Sequence, residues 1–175
     1  MNGPCEVVLD PATPSDAAVL SNLLELYSHD LSDVFVLEPG ADGRFGYEKL
    51  PLYWSEPENR FPFLIRAGTR LAGFALVTRG SPESDDPSAF DIAEFFVLRR
   101  HRHSGVGRRA AFLLWNRFVT RWIVRVSEGN QEGLRFWANV IAEYTSGTAV
   151  ETTRSGSPHA WRVFSFNSVN RRMCS

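Results

Sequence analysis

The sequence predicts a single α/β (α+β) domain over residues 1–175, with a mixed, mostly antiparallel central sheet of six or seven strands flanked by helices. Three observations carry this. The runs FPFLIRA and LAGFALVTR are separated only by Gly68-Thr69-Arg70, the spacing of an antiparallel hairpin. The apolar run Phe90 to Leu98 passes through a glycine loop into a helical pattern and then into WIVRVS, which makes a βαβ unit. A chain of 175 residues with 43% hydrophobic content buries one good core but hardly two.

In chain order, CEVVLD reads as a short strand, and Thr13-Pro14-Ser15-Asp16 supplies a capping residue, a proline at the first helical position and an early acid. Leu20, Leu23, Leu24, Tyr27 and Leu31 then recur at helical spacing, an apolar stripe that continues toward Val34. Residues 38 to 60 mix Gly, Pro, acids and the aromatics Phe45, Tyr47, Tyr53 and Trp54, which predicts loop with one short helix near Tyr47 to Tyr53. The hairpin follows, then the breaker-rich loop GSPESDDPS and a third apolar strand, Phe90 to Leu98, central in the sheet. Val106, Ala110, Leu113, Leu114 and Phe118 mark a helix face, WIVRVS is a buried strand, and Leu134, Trp137, Ala138 and Ile141 mark a further helix after Asn130. EYTSGTAVETTR and AWRVFSFNS close the chain as a strand pair across Ser155 to His159.

No apolar run approaches the roughly 18 to 20 residues of a membrane span, and MNGPCEVVLD lacks the regions of a signal peptide, so a cytoplasmic protein is expected. Cys5 and Cys174 have no metal-like spacing and are expected as free thiols, with no metal site. The net charge of −1 conceals an asymmetry. Residues 1 to 94 hold 16 acids and 6 cations, net −10, whereas residues 95 to 175 hold 4 acids and 13 cations, net +9. A polyanion therefore belongs on the second half, and a cationic partner fits the first.

The densest chemistry lies in FFVLRRHRHSGVGRRAAFLLW, residues 95 to 115. Gly105 and Gly107 let backbone N–H groups approach a ligand, and the helix that follows aims its unsatisfied N–H groups and positive dipole end at the same place. Gly105 to Ala110 also matches G-x-G-x-x-G/A, with Glu128 about 20 residues on. A dinucleotide site is disfavoured by the polar insert Arg99 to Ser104 and by the antiparallel strands that end the chain. A Walker loop fails because no Gly-Lys-Ser/Thr follows. Nucleic-acid binding through Arg99, Arg100, Arg102, Arg108 and Arg109 lacks interleaved aromatic platforms.

The string VLRRHRHSGVGRRA resembles the acetyl-coenzyme A signature of the GNAT N-acetyltransferase superfamily, whose R/Q-x-x-G-x-G/A pattern is met by Arg102, Gly105 and Gly107. Asn130 with Phe136 and Trp137 is similar to that family's later N-x-x-x-x-x-[FLY]-[YF] helix start, and the element order agrees over nearly the whole chain. The resemblance implies a sheet splayed between the fourth and fifth strands. It also implies a pyrophosphate seat on Arg102, His103, Ser104, Gly105, Val106, Gly107, Arg108 and Arg109, with the pantetheine arm along the backbone of Phe96, Val97 and Leu98 and with Asn130 nearby. The implied reaction is direct attack of a primary amine, from a small molecule or a peptide, on the acetyl thioester, with a backbone N–H near Val97 or Leu98 facing the oxyanion. No nucleic acid and no membrane is implied as partner, and a homodimer is compatible.

Such an amine is mostly protonated at neutral pH, so a base is needed, directly or through water. Glu94 is the candidate: it interrupts an apolar strand, and alternation places it on one face with Phe96 and Leu98. Many family members carry a tyrosine where this chain has Trp137, and an indole N–H is no useful acid, which raises the alternative of an acyl-coenzyme A-binding module with weak or no turnover. Tyr144 is expected as strand packing, and His159 as a structural or exposed residue rather than a second base. Glu48, Tyr53, Trp54 and Glu56 offer charge and cation–π contact to a cationic acceptor, or form an ordinary surface loop.

Overall fold

The computed structural model describes residues 6–169. Cys5 and Cys174 lie outside the described residues. The first strand, β1 (Val7–Pro11), is followed by a 3-10 turn, Pro14–Asp16, in which Asp16 accepts from the N–H and hydroxyl of Thr13. That box starts α1 (Ala17–Asp30), after which come α2 (Ser32–Phe35) and, past a long loop, α3 (Leu52–Ser55). The hairpin is β2 (Arg60–Ala67) with β3 (Arg70–Arg79), and β4 (Phe90–Val97) then enters the glycine loop. There follow α4 (Val106–Arg117), β5 (Arg121–Ser127), α5 (Gln131–Thr145), β6 (Val150–Arg154) and β7 (Trp161–Asn167).

The seven strands form one sheet in the order β1-β2-β3-β4-β5-β7-β6. All neighbours are antiparallel except β4 and β5, which pair in parallel only from Phe90–Trp122 to Ile92–Val124. Beyond Ile92 the two strands diverge, because β4 runs on to Val97 and β5 to Ser127 without a further pair. The sheet is thus splayed at its centre, as expected.

Helices cover both faces. On one, Val106, Ala110, Leu114 and Trp115 of α4 and Trp137, Val140, Ile141 and Tyr144 of α5 pack on Phe63, Ile65, Val77, Ile92 and Val124. On the other, Leu20, Leu23 and Leu24 of α1 and Tyr53 of α3 pack on Leu64, Phe74, Leu76 and Phe96. Burial of these side chains, about 1.5 to 3 kcal/mol each relative to exposure, is what fixes the helices on the sheet.

One assignment is corrected. The segment from Glu143 to Thr145, expected at the start of a strand, is the last turn of α5, which ends at Ser146 and Gly147, both with positive φ. The apolar stripe of α5 extends to Tyr144, which is 2% exposed and packs on Trp115 with ring centroids 4.8 Å apart. Burial of that ring outweighs the β-branched character of the sequence that follows it.

Candidate functional site

The loop between β4 and α4 is built to present amides. Arg109 N–H, bonded to the Gly105 carbonyl, is the first to find a helical acceptor. The six preceding amides, His103 to Arg108, lie in tight turns and at the start of α4, and none makes a well-aligned hydrogen bond to a protein acceptor among the described residues. Gly105 caps α4 at φ +81°, a left-handed conformation that a Cβ would strain, and it turns the chain so that the loop amides and the helix start converge. Gly107 serves a different end: a Cβ there would lie 3.1 Å from the Phe136 ring, so its absence lets α4, Val97 and α5 meet closely. A helix dipole end beside a row of converging backbone donors suits a pyrophosphate.

The loop opens onto the edge of β4. Leu98 N–H bonds to Ala72 of β3, and the Phe96 carbonyl is directed at Gly73, so the intervening Val97 turns its own N–H and C=O toward the splay. Val97 O accepts a hydrogen bond from Arg102 Nε at 2.8 Å. The Arg102 guanidinium continues to Asp30 of α1 at 2.6 Å and approaches Glu132 at the start of α5 at 3.9 Å.

On the α1 face of β4, Glu94 accepts a hydrogen bond on each carboxylate oxygen, from Tyr27 at 2.6 Å and from Tyr47 at 3.0 Å. Burial pushes its carboxyl above the usual carboxylate range, against the two hydroxyl donors and the charges of Arg125 and Lys49, which pull the other way. Burial and the Glu94 charge push both tyrosines upward, so they stay protonated as donors. The register of β4 shifts here: Leu76 pairs with Glu94 but Val77 with Ile92, which leaves Ala93 as a bulge. The bulge reverses the alternation, so Asp91 before it and Glu94 after it share one face. Asp91 is fully buried and holds Arg125 of β5 in a two-pronged pair, 2.9 Å on each prong, while Ser81 donates to the same carboxylate at 2.5 Å. Glu94 itself keeps some exposure at the point where the strands part.

No family profile and no curated protein sequence matches the chain. Solved structures do. An acetyltransferase from Thermus thermophilus superposes with a TM-score of 0.58 at 21% identity, covering 93% of this chain and 99% of that one. A spermidine N-acetyltransferase from Vibrio cholerae, in complex with CoA and spermine, gives 0.64 at 11% identity, with 93% and 95% covered. An aminoglycoside acetyltransferase in complex with coenzyme A gives 0.64 at 18%, with 93% and 95% covered. The chain has the GNAT fold.

Within the GNAT fold, the remaining residues singled out from the sequence divide clearly. Arg108 turns its side chain to Glu143 of α5 and to the Phe112 ring, leaving only its amide at the loop. Arg109 folds back over Ser104 and Gly105. Asn130 accepts from Gly133 N–H at 2.9 Å and so caps α5; its oxygen is committed to positioning the helix. Trp137 is 8% exposed and packed against Phe95, Phe136 and Trp115, on the sheet face opposite Glu94. The Tyr144 hydroxyl donates to Asn116 at 2.9 Å, within the α4 and α5 layer. The His159 ring lies against Gly129 at the end of β5.

Of the proposed acceptor contacts, Tyr53 is buried and Glu56 is tied to Arg60 at 2.6 Å, while Glu48 stays exposed and Trp54 half-buried. Four partners escaped the sequence reading: Tyr27, Tyr47, Asp91 and Arg125. An arginine inside the apolar run WIVRVS and an acid inside FDIAEFF were the available signals.

Proposed function

We propose that this chain transfers an acetyl group from acetyl-coenzyme A to a primary amine by direct attack, with Glu94 as the base. The observation that carries the reading is the row of six amides, His103 to Arg108, with no well-aligned protein acceptor among the described residues, at the mouth of a splay whose edge strand also carries Glu94. The coenzyme supplies an activated thioester. The residues do the rest. The amides and the α4 dipole hold the pyrophosphate, and Gly107 keeps α4 close enough to Val97 for one ligand to touch both. Val97 N–H, directed into the splay, faces charge that develops on the carbonyl oxygen under attack.

Glu94 takes the amine proton, directly or through one water. Its raised pKa places it nearer to working pH than an ordinary carboxylate, which suits a base that must first exist as the anion and then hold a proton. Tyr27 and Tyr47 fix the carboxylate in place. Spermine and coenzyme A in structures that share the fold support an amine acceptor and this donor. A second reading, a coenzyme-binding module with weak turnover, draws on Trp137, which is buried in the core and is no proton donor to a departing thiolate.

A thermal melt tests the donor site. At 100 times its dissociation constant, acetyl-coenzyme A contributes about 2.7 kcal/mol and raises Tm by about 5 to 11 °C. Gly107→Val, which forces Phe136 away from α4, abolishes the shift. An unchanged melting curve for the parent chain would remove both readings.

A further inference from the structure

Arg102 belongs to the glycine-loop motif, yet its side chain does not face the loop amides. Its Nε donates to Val97 O at 2.8 Å and one terminal nitrogen to Asp30 at 2.6 Å, while the other lies 3.9 Å from Glu132. The guanidinium carbon stands 5.5 Å from the centre of the Phe96 ring. These contacts come from α1, β4 and α5, which are the walls of the splay. The guanidinium therefore meets β4 at Val97, at the end of the stretch beyond Ile92 that β5 leaves unpaired.

Asp30 is the anchor of this arrangement. It is the last residue of α1, where the helix dipole disfavours an acid. It accepts from both Arg99 and Arg102, and although burial works against its charge, those donors hold its carboxyl below the usual range. Its side chain is 16% exposed and that of Arg102 23%, so water screens the pair little. A carboxylate at the helix end that disfavours an acid thus holds an arginine that bridges α1, β4 and α5.

We propose that Arg102 is a latch across the pantetheine groove: held on Val97 and Asp30 it closes the splay, and it must swing out before a ligand arm can lie along β4. The proposal rests on the reading of the site as a coenzyme A site. Occupation of the groove and the position of the end of α1 are then coupled, because releasing Arg102 leaves Asp30 held by Arg99 alone. The latch subtracts from the affinity of any ligand that enters the groove and leaves untouched a ligand confined to the loop amides.

That difference is the test. Binding of coenzyme A and of 3′-phosphoadenosine 5′-diphosphate, which keeps the pyrophosphate and lacks the pantetheine arm, is measured by calorimetry for the parent chain, Asp30→Asn and Asp30→Ala. Weakening the latch tightens coenzyme A by about tenfold, as removal of a closed state requires, and leaves the fragment within about twofold. Unaltered coenzyme A affinity in both variants, or an equal change for both ligands, overturns the latch and spares the donor-site reading. Failure of the parent chain to bind coenzyme A removes that reading, and the latch with it. A melt without ligand confirms that the variants are folded, and Arg102→Met, which keeps the length but not the charge, repeats the comparison should Asp30 variants be unstable.

Discussion

Replacing Glu94 with glutamine lowers kcat/KM for amine acetylation by about 10² to 10⁴, the usual contribution of a positioned base. The loss is greatest between the pH at which Glu94 ionises and the pKa of the amine, and narrows above about pH 10, where solvent has already deprotonated the acceptor. The parent profile rises through two ionisations and the variant profile through one. Glu94 is held above the usual carboxylate range by burial, so its limb lies at higher pH than a free glutamate would give. The same substitution acts oppositely on stability. A carboxyl whose folded pKa is raised favours the fold fully below its unfolded value and loses that contribution as pH rises through the folded value. Glu94→Gln therefore melts higher than the parent at pH 8, by a margin that shrinks toward pH 4. Lower activity with higher Tm marks a group kept for chemistry at a cost in stability.

Asp91→Ala has the largest expected effect on the fold. Asp91 is fully buried and its two oxygens hold Arg125, whose side chain is only 25% exposed, so truncation leaves a mostly buried cation unpaired. The expected loss is about 3 to 5 kcal/mol, read as a fall in Tm of about 6 to 20 °C for a chain of this size. Asp91→Ala combined with Arg125→Met recovers most of that loss, because the penalty lies in the stranded charge rather than in the absence of the pair. A single variant that melts within about 2 °C of the parent would show that water reaches Arg125 and that the pair does not organise the floor of the site.

What the sequence disclosed follows from which interactions are local. The β2–β3 hairpin, the capping box at Thr13 and the glycine loop running into α4 are each set by neighbours a few residues apart, and all were legible. Alternation also placed Glu94 on one face with Phe96 and Leu98, which holds because all three lie beyond the bulge, and the fold makes that the α1 face. Asp91 was not legible for the same reason in reverse. By parity alone it opposes Glu94, and only the extra residue at Ala93, fixed by pairing with β3, brings the two acids together. The two tyrosines that grip Glu94 come from 67 and 47 residues away, a convergence that only the packed fold defines.

The motif left the roles of its side chains open. Arg102, Arg108 and Asn130 are expected at the cofactor site, the loop through its amides, and their side chains bond to Val97 and Asp30, to Glu143 and to the Gly133 amide. A motif records which residues gather at a site. It does not record which atom of each is turned toward the loop, and at Arg108 only the backbone is.

The most direct test of acetyl transfer is the release of coenzyme A thiol from acetyl-coenzyme A, followed with and without amines drawn from polyamines, aminoglycosides, amino acids and peptides. Release that depends on an amine, saturates with it and is lost in Glu94→Gln is the result this structure predicts. Tight binding of acetyl-coenzyme A with no amine-dependent release from any acceptor class would contradict it and leave a binding module in its place.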